Sequence, residues 1–179
     1  MSGLLAISRT IDWFNERFGW LCDYMLVAAC FISAGNAFMR YAFNYSSNAY
    51  LEIQWYLFGA AVMLGASYTL KRNEHVRVDV IYGQLSDRGR LWVDLFGFIL
   101  FLLPVTLVML YLSTPFFMRS FNSGEVSMNA GGLTLWPIKM MLPLGFLLLF
   151  LQCLSEMIKR AAALSGHIVL ETKYTKPLQ

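Results

Sequence analysis

The sequence predicts an all-α membrane protein with four transmembrane helices, folded as one membrane domain over residues 1–179. Hydrophobic residues make up 58% of the 179 residues and charged residues only 14%. Soluble domains are about 45–50% apolar and about 25% charged. A chain of this length cannot bury such an apolar excess inside a globule. A bilayer is therefore the solvent that suits it.

Four charge-poor segments are long enough to cross a bilayer. A helix rises about 1.5 Å per residue, so about 20 residues match a hydrocarbon core of about 30 Å. Residues 53–70 and 95–118 contain no charged side chain at all. The predicted spans are about 20–42, 51–71, 92–118 and 133–157.

The distribution of Lys and Arg predicts the orientation of these spans. Eleven basic residues flank the spans on the side of the two termini and the central segment, and three lie on the other side. Cytoplasmic segments carry the excess of Lys and Arg, so both termini are predicted to be cytoplasmic. The eleven are Arg9, Arg17, Lys71, Arg72, Arg77, Arg88, Arg90, Lys159, Arg160, Lys173 and Lys176, and the three are Arg40, Arg119 and Lys139.

The segment before the first span has apolar residues at helical spacing. Its polar residues fall largely off that stripe, which is typical of an amphipathic helix at the membrane surface. We expect such a helix over residues 4–18, and a mobile polar tail over 165–179. The apolar stripe consists of Leu4, Ile7, Ile11, Phe14 and Phe18.

The stretch LKRNEHVRVD, residues 70–79, is a polar strip between two apolar blocks. We interpret it as a short interfacial segment, followed by a helix that starts at Ser86 or Asp87, both good N-cap residues. Basic side chains near an anionic membrane surface bind lipid headgroups. The candidate headgroup contacts are Lys71, Arg77, Arg88 and Arg90.

The spans offer few groups for chemistry. Their Ser and Thr hydroxyls are of the kind that bond back to helix carbonyls. The two histidines, His75 and His167, lie outside the spans, which argues against a membrane haem. We find no nucleophile with a base, no phosphate-binding loop and no zinc signature, so we expect no catalytic activity and no cofactor. The three cysteines read as small buried hydrophobes.

Charged residues at the span ends leave alternatives open. Arg40 ends the first span and Glu52 begins the second, so the two either pair in a reduced dielectric or extend separately to water. Asp23 meets a basic residue of the central strip or is solvated. Lys139 is expected to extend outward to the interface.

The stretch RYAFNYSSNAYLEIQWYLFGAAVMLGASYTLKRNEHVRVDV resembles the signature of the small membrane subunit of tripartite ATP-independent periplasmic (TRAP) transporters, the DctQ-like family. The resemblance extends over roughly residues 10–163. It includes an Arg and an aromatic at the end of the first span, an acidic residue opening the second, and the basic–His–Arg–Asp strip. These fall on Arg40, Tyr41, Phe43, Glu52, Gly65, Ala66, Arg72, His75, Val76, Arg77, Val78 and Asp79.

The resemblance implies a scaffold subunit of a sodium-coupled importer of small organic acids or related solutes in the bacterial inner membrane. Its partners would be a large permease subunit, a periplasmic substrate-binding protein and membrane lipids. A net charge of +3 is too small to indicate nucleic acid. Alternatives are a plain membrane anchor of a respiratory or other enzyme complex, and a small self-assembling exporter. The candidate interface or structural residues are Arg40, Glu52, Trp55, Arg72, His75 and Asp79.

Overall fold

A computed structural model describes residues 2–73 and 84–168, and these residues form four long helices and no strand. Helix α1 is Ser2–Phe43, α2 is Asn48–Arg72, α3 is Asp87–Ser123 and α4 is Trp136–Leu164. The all-α prediction is therefore confirmed. Three of the helices, α1, α3 and α4, are long and apolar enough to cross a membrane. The crossing predicted for α2 stays a prediction.

The observed helices differ from the predicted spans mainly at their ends. The amphipathic segment and the first span are one uninterrupted helix, α1. Helix α4 begins at Trp136, not at 133, and continues to Leu164. Pro137 lies in its first turn, where the missing N–H has no intrahelical partner to lose. Of the predicted mobile tail, residues 165–168 form a turn, and residues 169–179 lie outside the described part of the chain.

The helix ends carry recognisable caps. The Ser47 hydroxyl accepts from the backbone N–H of Ala49 at 3.3 Å and begins α2. Ser86 caps α3 as the sequence predicts, accepting from the N–H of Gly89 at 3.3 Å. Gly124 ends α3 with a φ of 62°, a left-handed conformation that glycine adopts without steric cost.

Helix α4 packs against the other three helices, and α1 also packs against α2. Gly19 of α1 meets Tyr68 of α2, so these helices run antiparallel. Tyr56 near the start of α2 reaches Thr134, just before α4, so α2 and α4 run parallel. Asp94 near the start of α3 meets Arg160 near the end of α4, so α3 and α4 run antiparallel. Chain direction therefore alternates from helix to helix, and both described ends of the chain lie at one end of the bundle.

We call the two ends of the bundle the terminal end and the hairpin end. The terminal end contains residues 2–18, 70–73, 87–97 and 152–164. The hairpin end contains residues 43–52 and 121–136.

Glycines allow the closest helix contacts. A Cβ built on Gly145 of α4 would lie 2.7 Å from the carbonyl oxygen of Met63 in α2, which is too close for any side chain. Small residues let helix backbones approach in this way in membrane proteins. The apolar core around this contact includes Ala61, Leu64 and Leu148.

The cysteines only partly follow the sequence prediction. Cys22 and Cys153 are buried, whereas Cys30 is exposed on α1. The prediction of a buried Cys30 is wrong, because none of the described helices covers that face of α1.

Helix α3 contains a π-helical turn that the sequence analysis did not anticipate. Over Phe98–Leu102 the helix widens, and the N–H of Leu103 bonds to the carbonyl of Phe98, five residues back. Pro104 follows directly. Its ring has no N–H and crowds the carbonyl four residues earlier, so a wider turn relieves the clash while α3 continues.

Candidate functional site

The face of α1 that packs against α4 is polar. Ser8 and Asn15 are buried, and Asp12 lies between them on the same face. The hydroxyls of Ser8 and Ser155 are 2.7 Å apart. The Asn15 side-chain amide donates to Gln152 Oε1 at 2.7 Å. Near the chain start, α1 and α4 are therefore joined by hydrogen bonds.

The Asp12 carboxylate is the centre of these contacts. It accepts hydrogen bonds from Gln152 Nε2 at 2.9 Å and from Ser155 Oγ at 2.8 Å. Lys159 Nζ lies 3.0 Å from Asp12 Oδ2. An ionised carboxylate has only acceptors, and α4 supplies three donors. Asp12 thus ties α1 to two successive turns of α4.

Glu156 is a second, buried carboxylate on α4. It forms ion pairs with Lys159 and Arg160 of the same helix. Arg160 Nε also donates to Asp94 Oδ2 of α3 at 3.0 Å. The Arg160 guanidinium lies 4.6 Å from the centroid of the Phe98 ring, a cation–π distance. This group of charges joins α3 to α4.

Helix α2 is linked to α1 in the same way. Lys71 Nζ pairs with Glu16 and donates to the backbone oxygen of Asp12 at 3.1 Å. Arg72 lies 3.6 Å from Glu16 and donates to the Tyr68 hydroxyl at 3.0 Å. All four helices are therefore connected at the terminal end.

We call this connected set the terminal-end network. Among the described residues it contains four carboxylates and four cations. Buried charges are tolerated where they are paired and hydrogen-bonded. The members are Asp12, Glu16, Lys71, Arg72, Asp94, Gln152, Glu156, Lys159 and Arg160.

A second polar cluster lies at the hairpin end and centres on Glu52. This residue is only 3% exposed. Its carboxylate accepts from the N–H of Leu133 at 2.7 Å, from Asn129 Nδ2 at 2.7 Å and from the Ser127 hydroxyl. All three donors are uncharged and belong to the loop between α3 and α4. Glu52 therefore holds that loop against the start of α2.

Neighbouring contacts extend this hairpin-end network, which comprises Glu52 and the loop residues 125–134. The Tyr56 hydroxyl donates to the Thr134 carbonyl at 3.2 Å. Lys139 pairs with Glu125 and lies 4.5 Å from the centroid of the Phe116 ring. The hydrogen bond from Lys139 holds the pKa of the Glu125 carboxyl below its usual range.

Between the two networks, five hydroxyls of α2 and α3 bond to their own helices. Each donates to a carbonyl three or four residues earlier, at 2.7–3.4 Å. The prediction that they satisfy the backbone is confirmed, and they are not assembled into a pathway. These residues are Ser67, Thr69, Thr106, Ser113 and Thr114.

The two residues that were candidates for an ion pair have different surroundings. Glu52 is bonded by the loop, whereas the Arg40 side chain is exposed. The hypothesis of an Arg40–Glu52 pair is therefore not supported, because loop donors already satisfy the carboxylate. Trp55, another candidate, is exposed on α2. Lys139 extends toward the loop, as expected, and finds Glu125 there.

The candidate headgroup residues fall into different environments. Lys71 belongs to the terminal-end network, and its partner is Glu16 and not Asp23, which is exposed. Arg90 is largely buried and lies 3.6 Å from Asp87. Arg88 is exposed. Lys71 and Arg90 are largely enclosed by protein, and headgroup contact by these residues stays a prediction.

Arg72, a candidate interface residue, is half-exposed beside Tyr68. The remaining candidates, His75, Arg77 and Asp79, lie outside the described residues.

The polar partners at the terminal end were not among the predicted site residues. Gln152, Glu156 and Arg160 are four residues apart and share one face of α4, and Ser8 and Asp12 have the same spacing on α1. Polar residues repeated at this spacing beside an apolar span indicate a face that packs inside protein.

A bundle of alternating helices, three of them able to cross a membrane, defines an integral membrane protein. Residues 29–163 match the family described as tripartite ATP-independent periplasmic transporters, DctQ component. The chain belongs to this family, the small membrane subunits of TRAP transporters, and the resemblance noted in the sequence is confirmed. No curated protein and no solved structure matches the chain.

Proposed function

We propose that this chain is the scaffold subunit of a sodium-coupled TRAP transporter that imports a small organic acid or related solute. It would act with a large permease subunit and a periplasmic substrate-binding protein in the bacterial inner membrane. The observation that carries the proposal is that the buried charges of the described residues, Glu52, Glu156 and Arg160, are bonded within the chain. They fix helices and a loop in place.

The middle of the bundle supports the same role. Moving a charge through a bilayer requires polar groups at depth, since an unpaired charge there costs several kcal/mol. The hydroxyls at that depth are engaged by helix carbonyls. The outer surface instead carries exposed aromatic side chains, among them Trp55, Phe101 and Tyr111. Such a surface suits packing against a larger helical subunit or lipid.

The proposed topology has four crossings and cytoplasmic termini. Its support is the alternating chain direction together with the eleven basic residues on the side of the termini. To test it, all three native cysteines are replaced, and single cysteines are introduced at the exposed positions Gln84 and Ser46. In intact cells, a membrane-impermeant thiol reagent should label the cysteine at position 46 and not the one at 84. The reverse labelling pattern would exclude this orientation.

Reconstitution tests the function itself. In proteoliposomes with an imposed sodium gradient, the purified chain alone should take up no labelled organic acid. Adding the large subunit and a loaded binding protein should give sodium-dependent uptake. Leaving out this chain should then abolish or greatly reduce uptake, since an unsupported partner exposes surface that the complex buries. Uptake by the chain alone, or full uptake in its absence, contradicts the scaffold role.

A further inference from the structure

A stripe of basic and aromatic residues runs along the start of α1, on the side away from α2 and α4. Its members are three or four residues apart, so they share one face of the helix. The three aromatic members are 54%, 56% and 68% exposed. The basic–aromatic stripe consists of Arg9, Trp13, Arg17, Trp20 and Tyr24.

The positive charges of this stripe are not neutralised within the described residues. The two acidic side chains nearest to them, Asp12 and Glu16, are turned toward α4 and α2, where they bind Lys159 and Lys71. Arg17 lies 5.3 Å from the centroid of the Trp13 ring. This contact with an uncharged ring does not neutralise the positive charge of Arg17. Arg9 is exposed.

One further acidic residue, Asp23, lies near the other end of the stripe and is also exposed. It is six residues beyond Arg17, about 9 Å along the helix axis. The two arginines therefore present a positive face on the first turns of α1, and the acidic residue lies toward the apolar part of the helix.

The stripe lies at the height where the bundle changes from polar to apolar. Asp12, one residue before Trp13, is connected through Lys159 and Glu156 to Arg160. Arg160 in turn binds Asp94 of α3, two residues after the exposed Trp92. Trp13 and Trp92 thus both lie at the terminal end of the bundle, and tryptophans are enriched at membrane–water interfaces.

We propose that the basic–aromatic stripe binds the phosphate-bearing headgroups of anionic phospholipids. The planar guanidinium groups of Arg9 and Arg17 match phosphate oxygens. The rings of Trp13 and Trp20 favour the boundary between headgroup and acyl chain. A free anion would satisfy the arginines only, whereas a lipid also covers the exposed aromatic rings.

The purified full-length chain tests this directly. It is equilibrated with equal amounts of phosphatidylglycerol and phosphatidylcholine, washed, and analysed by native mass spectrometry for retained lipid. The wild-type chain should retain phosphatidylglycerol preferentially. R9Q/R17Q should reduce that preference about fivefold or more, because each basic residue at an anionic surface contributes to lipid attraction.

The matched control is R40Q, which removes an exposed arginine from the hairpin end of the same helix. It should keep the wild-type preference. A wild-type chain without preference, an unchanged R9Q/R17Q variant, or an equal loss in R40Q would each overturn the proposal.

A second measurement needs no charge substitution. Brominated phosphatidylglycerol should quench tryptophan fluorescence more than brominated phosphatidylcholine at the same mole fraction. W13F should remove more of that difference than W55F, which alters an exposed tryptophan on α2. Equal reductions by the two variants contradict a site on α1. Both measurements use the chain alone, so their outcome is independent of whether it supports solute uptake.

Discussion

The two ends of the bundle bury charge in different ways. At the terminal end, carboxylates face cations, and the contacts run between helices. At the hairpin end, the Glu52 carboxylate is satisfied by uncharged donors of a single loop. Removing one member of an ion pair leaves an uncompensated charge, whereas removing one neutral donor leaves the carboxylate with one hydrogen bond fewer. The terminal-end network therefore holds helices together, and the hairpin-end network shapes a loop.

The largest expected effect is at Glu156. Glu156→Gln removes the negative charge that faces Lys159 and Arg160 in a buried setting. We expect a loss of about 3 kcal/mol in the free energy of unfolding, the range for breaking a buried pair. Denaturant or thermal unfolding in detergent measures it.

The control for this variant is Glu125→Gln, which removes an exposed carboxylate from its lysine at the hairpin end. It should change stability by less than about 1 kcal/mol. If the two variants lose equal stability, the ends of the bundle do not differ as described.

Glu52→Gln should have the next largest effect, and a local one. The amide keeps one acceptor oxygen but turns a donor toward the donors of the loop, including the N–H of Leu133. We expect a cost of about 1–3 kcal/mol and faster hydrogen exchange over residues 125–134. Mass spectrometry of the exchanged peptides measures the hydrogen-exchange rates at both ends of the bundle in one experiment. Faster exchange at the terminal end, with no change in the loop, would contradict the division of roles.

Acid should weaken the contact between Glu125 and Lys139. The pKa of Glu125 is depressed below its usual value of 4.5, so its stabilising contribution is complete above about pH 4.5. It is lost as the pH falls through the lower, folded-state pKa. Hydrogen exchange at residues near Lys139 should rise in that window for the wild-type chain. In Glu125→Gln the rise attributable to this contact should be absent, and an unchanged rise would contradict the assignment.

The smallest effect should come from Arg40→Ala. This arginine is exposed, and the loop satisfies Glu52 without it. Stability should change by less than about 0.5 kcal/mol, as for ordinary surface substitutions. The matched substitution, Glu52→Ala, should be clearly destabilising. Equal losses in the two variants would restore the ion-pair hypothesis that the structure disfavours.

The sequence predicts the helices well and their contacting faces poorly. Apolar length and Ser86 as a cap locate α3 to within a few residues, because these signals are local. The face of α1 that packs inward, in contrast, is not predicted correctly by the sequence pattern. Its apolar stripe includes Phe14, which is exposed, while Asp12 faces α4. A periodic pattern distinguishes two faces of a helix. Which of the two faces is buried depends on the helix that packs against it.

The role of Glu52 shows a second limit of the sequence. Its donors lie 75–81 residues further along the chain, and one of them is a backbone N–H that any residue type could supply. Arg40 is the nearby opposite charge in the sequence and was therefore the candidate partner of Glu52. The actual partners are uncharged, so nothing in the sequence marks them as partners. Long-range contacts to the backbone require the fold to be known.

The π-helical turn of α3 has a consequence for the length of the chain. The buried residues Leu91 and Phe98 are seven positions apart, and so are Thr106, Ser113 and Ser120 in turn. From Phe98 to Thr106 the interval is eight, and the wide turn lies within it. Seven residues make about two turns of a regular helix. The wide turn therefore accommodates one residue more than two regular turns would.

A relative with one residue fewer in this interval would keep the same seam against α4 by forming a regular helix. A deletion between Thr106 and Ser120 would rotate all later residues of α3 by about 100° and carry Ser113 or Ser120 away from α4.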